Sequence, residues 1–303
     1  MTIRHPRRRQ LSTYLAAIPP PDDGGAPQPP SPPGPVTPPP SVSESEPPRG
    51  LWETWSRGRI LSWAVLLLAA DFLTQLLIYQ LGFGLFWSVA LGSLLAILLP
   101  CYLAARSVGG NLASEFHLGH TSRAHLFWAM IVAVAGLLPT SILAGLSSRI
   151  HPVSDEWLKF NLDHLPQEPG EIVVAALAVT VIAPLAEELL FRGIVHRLVR
   201  RLWGAGPATI ISGLVFGLLH YEPWYLFGLI GLGFLLSYIY EATRSLTPCF
   251  VTHGVYNGIS FYLLLHDHEF ATGGSGVDDF DIWLIGGSIL LLVFACTQLA
   301  RSD

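Results

Sequence analysis

The sequence is poor in charged residues. Only 13% of its 303 residues are charged, whereas 51% are hydrophobic, and the mean hydropathy is +0.47. An ordinary soluble domain carries about 25% charged residues, so this composition excludes that class and predicts a polytopic membrane protein. The formal net charge of −5 says little about partners, and we expect no nucleic-acid role.

Other absences narrow the chemistry. The three cysteines, Cys101, Cys249 and Cys296, lie apart in apolar segments and form neither a CxxC pair nor an even set for a disulfide framework. No HExxH motif is present, which excludes the soluble metalloprotease arrangement with two histidines on one helix. No apolar stretch follows the basic N-terminus at signal-peptide distance, so we expect an uncleaved first span.

Composition divides the chain into four regions. We interpret residues 1–50 as a disordered Pro-rich cytoplasmic tail, because nothing in it can bury a core. Its PxxP-like runs suit a partner's aromatic groove. N-terminal transmembrane helices are expected over 51–124, a core carrying the polar motifs over 125–266, and a loop with the last transmembrane helix over 267–303.

The apolar windows predict an all-α transmembrane bundle of about eight spans. They lie near 60–80, 84–104, 126–147, 171–191, 206–221, 224–241, 246–266 and 281–300. Arginines recur at one set of span ends, which predicts that both termini are cytoplasmic. The longest outer loop is expected over 148–170. Proline, glycine and arginine usage is typical of a GC-rich bacterial genome, so we expect the bacterial plasma membrane.

The most informative feature is a pair of glutamates, Glu187 and Glu188, within an apolar span, with Arg192 one turn further. An ionisable side chain at membrane depth costs roughly 2.5–3.5 kcal/mol, so such a pair normally faces a polar cavity. Neighbouring residues on a helix point about 100° apart. Glu188 and Arg192 can pair at i,i+4, which leaves Glu187 free to react.

A histidine ends the following apolar helix, in Phe216-Gly217-Leu218-Leu219-His220. His220 and Glu187 are equally distant from residues 203 and 204, where Gly204 and Pro207 indicate a turn. In an antiparallel hairpin they lie at one level. Both helices are then expected to continue past the membrane as a protruding basic tip that carries Arg197, Arg200 and Arg201.

A third polar pair, His253 and Asn257, shares one face of a later span. Several functions fit the three helices. Water-mediated amide hydrolysis would use a carboxylate and an imidazole as base, with further donors for the oxyanion. A zinc ion held by His220, His253 and Glu187 would be an alternative. A proton-coupled carrier that uses Glu187, His220 and His253 as a relay, or a non-catalytic scaffold, remain the rival classes.

The ordered set of EExxxR at 187–192, FxxxH at 216–220 and HxxxN at 253–257 resembles the CAAX protease and bacteriocin-processing family of intramembrane proteases. The resemblance covers roughly residues 125–265. It implies that Glu187 and His220 activate a water and that His253 and Asn257 stabilise the oxyanion. Glu188, Arg192 and Phe216 would be supporting residues. Membrane lipid and a protein or peptide substrate, prenylated in the eukaryotic branch of that family, are the implied partners.

Overall fold

The computed structural model describes residues 50–119, 121–266 and 282–302, and within these ranges every regular element is helical. The helices, in chain order, are α1 Leu51–Thr54, α2 Arg57–Gln80, α3 Leu85–Ser107, α4 Leu112–Phe116, α5 Arg123–Ile150, α6 Asp155–Asp163, α7 Pro169–Trp203, α8 Ala205–Leu218, α9 Leu226–Thr243, α10 Leu246–His266 and α11 Ile282–Leu299.

The transmembrane helical class is confirmed, and each of the eight predicted spans corresponds to a helix. In the described part of the chain six of them, α2, α3, α5, α7, α9 and α11, are long and apolar enough to cross a membrane. The other two differ for physical reasons. Helix α8 has only 14 residues, about 21 Å at 1.5 Å per residue, and α10 carries the polar side chains of the third motif.

Helix α7 is 35 residues long, about 52 Å, and exceeds the roughly 30 Å of a bilayer core. Two π-helical segments, Ala178–Ile182 and Phe191–His196, flank the turn that carries the glutamates. Pro184 begins that turn and has no N–H to donate. Widened turns of this kind are frequent at functional sites.

The predicted hairpin is present, because α7 ends at Trp203 and α8 begins at Ala205 after Gly204, which has a φ of 88°. The protruding basic tip stays a prediction, and the structure shows that its arginines have partners. Arg197 and Arg201 both lie over the ring of Trp52, at 4.4 and 4.6 Å from its centroid. Arg200 Nε donates to Glu241 of α9 at 2.9 Å. These arginines therefore fold back onto neighbouring helices, because paired guanidinium groups are more stable there than isolated ones.

Close helix packing holds α8 against α9. A Cβ added at Gly233 would stand 2.7 Å from the carbonyl oxygen of Gly213. Neither helix therefore tolerates a side chain at this crossing, as expected for small-residue packing between membrane helices. The crossing places α9 beside the glutamates of α7, where the carbonyl of Gly233 becomes available to the site.

Some expectations concern segments outside the residues that the structure describes. The Pro-rich tail lies outside the described residues except for Gly50, and so does most of the loop predicted before the last span. The four regional boundaries stay predictions. The segment expected to be the longest outer loop contains α6, an amphipathic helix capped by Ser154, whose side chain accepts from the N–H of Trp157.

Candidate active site

Three side chains from three helices meet around one carboxylate. Glu187 Oε2 lies 3.8 Å from His220 Nε2 and 3.8 Å from His253 Nε2. The Glu187 side chain is 25% exposed, but Oε2 itself is buried and has no hydrogen-bond partner. Buried polar atoms are rarely left unpaired, so the space between these groups suits a water or a substrate atom.

In each histidine Nδ1 is engaged in a hydrogen bond, and Nε2 faces Glu187. His220 Nδ1 lies 2.7 Å from the carbonyl oxygen of Phe216, which can only accept, so Nδ1 donates. His253 Nδ1 lies 2.9 Å from Glu188 Oε1. In the neutral tautomer both Nε2 atoms then present a lone pair to Glu187. The space between the three groups therefore suits a hydrogen-bond donor such as a water.

A buried ion pair contacts the Nδ1 side of the His253 ring. Arg192 Nη1 donates to Glu188 Oε1 at 2.9 Å, and both side chains are 0% exposed. Arg192 Nη2 also donates to the carbonyl oxygen of Gly233 at 3.0 Å. The pairing predicted from the i,i+4 spacing is therefore present. It gives Glu188 a counter-charge and, with the hydrogen bond from Glu188 to His253, links α7 to both α9 and α10.

Phe216 is fully buried between the charged groups. Its ring centroid lies 4.6 Å from the His220 ring and 5.6 Å from the His253 ring. The guanidinium carbon of Arg192 lies 4.7 Å from the same centroid, a cation–π distance. Phe216 thus contacts both histidines and the arginine, and it excludes water from the ion pair.

Asn257 has a partner that the local backbone explains. Its Nδ2 donates to the carbonyl oxygen of Val179 at 3.0 Å. Val179 lies in the first π-helical segment, where the i+5 donor would be Pro184, which has no N–H. Asn257 therefore satisfies a carbonyl that the helix leaves open. One amide hydrogen of Asn257 is engaged in this way.

Helix α10 approaches α7 closely at Gly254, the residue next to His253. A Cβ added at Gly254 would lie 2.6 Å from the carbonyl oxygen of Thr180, well inside contact distance. A glycine beside His253 is thus what allows the two helices to meet. Motif positions brought together are Glu187, Glu188, Arg192, Phe216, His220, His253 and Asn257; the roles assigned to them stay predictions.

The donor atoms of the zinc alternative are spaced too widely for tetrahedral zinc. Tetrahedral zinc with bonds of about 2.0–2.1 Å places its ligand atoms about 3.4 Å apart, and Glu187 Oε2 stands 3.8 Å from each histidine nitrogen. Within the described ranges no group of three or more His, Cys, Asp or Glu residues is arranged to hold a metal ion. As they stand, these residues do not fit zinc.

Sequence reasoning missed a further carboxyl, Asp71 in α2. Its Oδ1 is buried without a hydrogen-bond partner, and its charge interacts with that of Glu187. The signal was present, since Asp71 is an ionisable residue within the apolar window 60–80 and the rule that singled out Glu187 applies to it equally. Tyr256 is a second omission, with its hydroxyl 2.8 Å from Thr140 Oγ1.

Comparison with known proteins gives one match. Residues 169–259, just under a third of the chain, match the family model described as type II CAAX prenyl endopeptidase Rce1-like. This range is narrower than the expected 125–265, but it contains all seven motif residues. No curated protein and no solved structure matches the chain. The resemblance seen in the motifs is thus confirmed over residues 169–259, which are similar to the Rce1-like family of type II CAAX prenyl endopeptidases, a family of membrane proteases.

Proposed function

We propose that this protein is an intramembrane endopeptidase that cleaves a peptide bond with a water activated by Glu187 and His220. The observation that carries the proposal is the buried, unpartnered Oε2 of Glu187, which faces the Nε2 atoms of two histidines at 3.8 Å. A water in that space would donate to the carboxylate and direct its oxygen at a carbonyl carbon.

The water supplies the protons that the reaction needs, and Glu187 and His220 transfer them. The water oxygen bonds to the carbonyl carbon while its proton passes to Glu187, with His220 sharing the charge. When the C–N bond breaks, the leaving nitrogen takes a proton from the same pair. The second proton of the water passes from the new carboxylic acid to the amine, so one fragment ends in a carboxylate and the other begins with an ammonium group. No covalent enzyme intermediate forms.

His253 and Asn257 are the donors proposed for the oxyanion. In its protonated form His253 carries a proton on Nε2, and Glu188 stabilises that form through the hydrogen bond to Nδ1. The second amide hydrogen of Asn257 would add another donor. Loss of one such donor typically lowers kcat about 10²–10³-fold.

The proposed substrate is a membrane-associated protein or peptide, with prenylated C-terminal segments as the class suggested by the family description. The peptide must reach a site that lies among helices long enough to cross a bilayer, so an apolar anchor on the substrate would raise its local concentration. We further propose that the arginine-rich helix ends lie in the bacterial cytoplasm, following the positive-inside rule.

The test is cleavage by protein purified into lipid nanodiscs, with matched peptides that do or do not carry a C-terminal prenyl group. We expect cleavage, a preference for the prenylated form, and unchanged activity after chelator treatment. Loss of activity that added zinc restores would overturn the metal-free step. Equal cleavage of both peptides would overturn the substrate class, and no cleavage of any peptide would overturn the peptidase.

A further inference from the structure

Asp71 faces the interior of the bundle from the middle of α2. The nearest buried residues of this helix lie seven, four and seven positions away, at Ala64, Leu67 and Ile78. Those intervals place all four on one helical face. The opposite face is apolar and exposed, as expected for contact with lipid. A carboxyl on the inner face of such a helix is a functional-site hypothesis by default.

The Asp71 side chain is held in place by its own helix and by α3. Gln75 Nε2 donates to Asp71 Oδ2 at 2.8 Å. Gln75 is in turn confined, because a Cβ added at Gly92 of α3 would lie 2.3 Å from its Cγ. The carboxyl group is therefore oriented by a positioned amide, with Oδ1 left for another partner.

That other partner is missing within the described chain. Asp71 Oδ1 and Glu187 Oε2 are both buried without a hydrogen-bond partner. Helix α2 packs against Phe191–His196 of α7, and the part of α3 that confines Gln75 packs against Ala183–Leu190, the segment that carries the glutamates. Asp71 thus contributes a second acceptor oxygen to the surroundings of the base, and an acceptor buried without a donor costs roughly 1–3 kcal/mol.

We propose that Asp71 is a substrate-binding residue that accepts a hydrogen bond from the amino group on the leaving side of the scissile bond. The inference rests on the proposed function, because hydrolysis is what creates that amino group. When the C–N bond breaks, the nitrogen takes up one proton from Glu187 and His220 and a second from the new carboxylic acid, and it becomes an ammonium ion in surroundings with little water. A carboxylate with a free oxygen stabilises that cation.

The test measures binding of amines without requiring turnover. An apolar tripeptide amide with a free amino terminus and its N-acetylated form are titrated into full-length protein in nanodiscs, and thermal stabilisation gives the affinity. Wild type should bind the free amine about 10–100-fold more tightly than the acetylated form, which corresponds to one charge-assisted hydrogen bond. Asp71→Asn should lose that preference. Asp71→Glu should keep part of it.

Asp163→Asn, at an exposed position at the end of α6, is the matched control and should behave as wild type. A wild-type protein without preference for the free amine would overturn the proposal, as would an Asp71→Asn variant that keeps the preference. The peptidase is judged separately. An amine preference without cleavage of any peptide would leave Asp71 as an amine-binding residue and reject the endopeptidase.

Discussion

Replacing Arg192 by methionine leaves the carboxylate of Glu188 buried without its counter-charge. In the wild type both side chains are 0% exposed and paired at 2.9 Å. Arg192 also donates to the Gly233 carbonyl and lies over the Phe216 ring. The substitution keeps an apolar side chain of similar length and removes all three interactions at once.

The expected cost follows from burial. Breaking a buried pair by removing one partner costs about 3–5 kcal/mol, mostly because the remaining charge is uncompensated. Replacing both partners is much cheaper, since no buried charge remains. We therefore expect Arg192→Met to lower the free energy of unfolding by about 4 kcal/mol, and Glu188→Gln with Arg192→Met to lower it less than the single change does.

The assay is equilibrium unfolding of the purified protein in mixed detergent micelles, with both single variants and the double variant forming a cycle. Arg200→Met is the matched control. Arg200 also pairs with a glutamate at 2.9 Å, but its side chain is 41% exposed, so its loss should cost less than about 1 kcal/mol.

Additive effects would refute the reasoning. If the double variant loses the sum of the two single losses within about 0.5 kcal/mol, Glu188 and Arg192 do not act as a pair. An Arg192→Met variant no less stable than Arg200→Met would likewise show that the arginine is hydrated rather than buried.

Three further predictions concern single positions. Gly254→Ala should lower activity and destabilise the fold by about 1–3 kcal/mol, because the added Cβ overpacks on Thr180. Gly258→Ala is the control and should change neither activity nor stability, since its Cβ would lie at an ordinary 3.6 Å from that threonine. Thermal unfolding measures the stability of the two variants, and peptide cleavage measures their activity. Asn257→Ala should lower kcat about 10²–10³-fold with little change in KM, and an unchanged kcat would remove it from the oxyanion site. Burial, and then a nearby arginine, lower the pKa of His117 from 6.5, so its stabilising contribution is present above pH 6.5 and is lost as the pH falls through the lowered pKa. His117→Gln should then lose less stability between pH 7 and pH 5 than wild type, as read by thermal unfolding.

Motif spacing predicted much of the site, because the relevant distances are local or follow from one hairpin. The i,i+4 interval gave the pairing of Glu188 with Arg192. Equal distances from one turn placed Glu187 and His220 at the same level. Both inferences need only helical geometry, which a periodic sequence determines well.

The remaining features depend on contacts between residues far apart in the chain. Nothing in the local pattern shows that the ring of Trp52 lies against two arginines of α7. The link between Asn257 and Val179 depends on the π-helical segment that precedes Pro184. Apolar periodicity does not distinguish such a segment from an ordinary α-helix.

Removal of the Glu187 carboxylate tests the central claim most directly. Wild type, Glu187→Gln and the matched control Glu156→Gln, at an exposed position in α6, are compared for cleavage of a quenched peptide library in nanodiscs. The account predicts that wild type and Glu156→Gln cleave the same peptides, while Glu187→Gln loses activity by at least about 10³-fold, because it can no longer accept a proton. A Glu187→Gln variant that cleaves at the wild-type rate would contradict it.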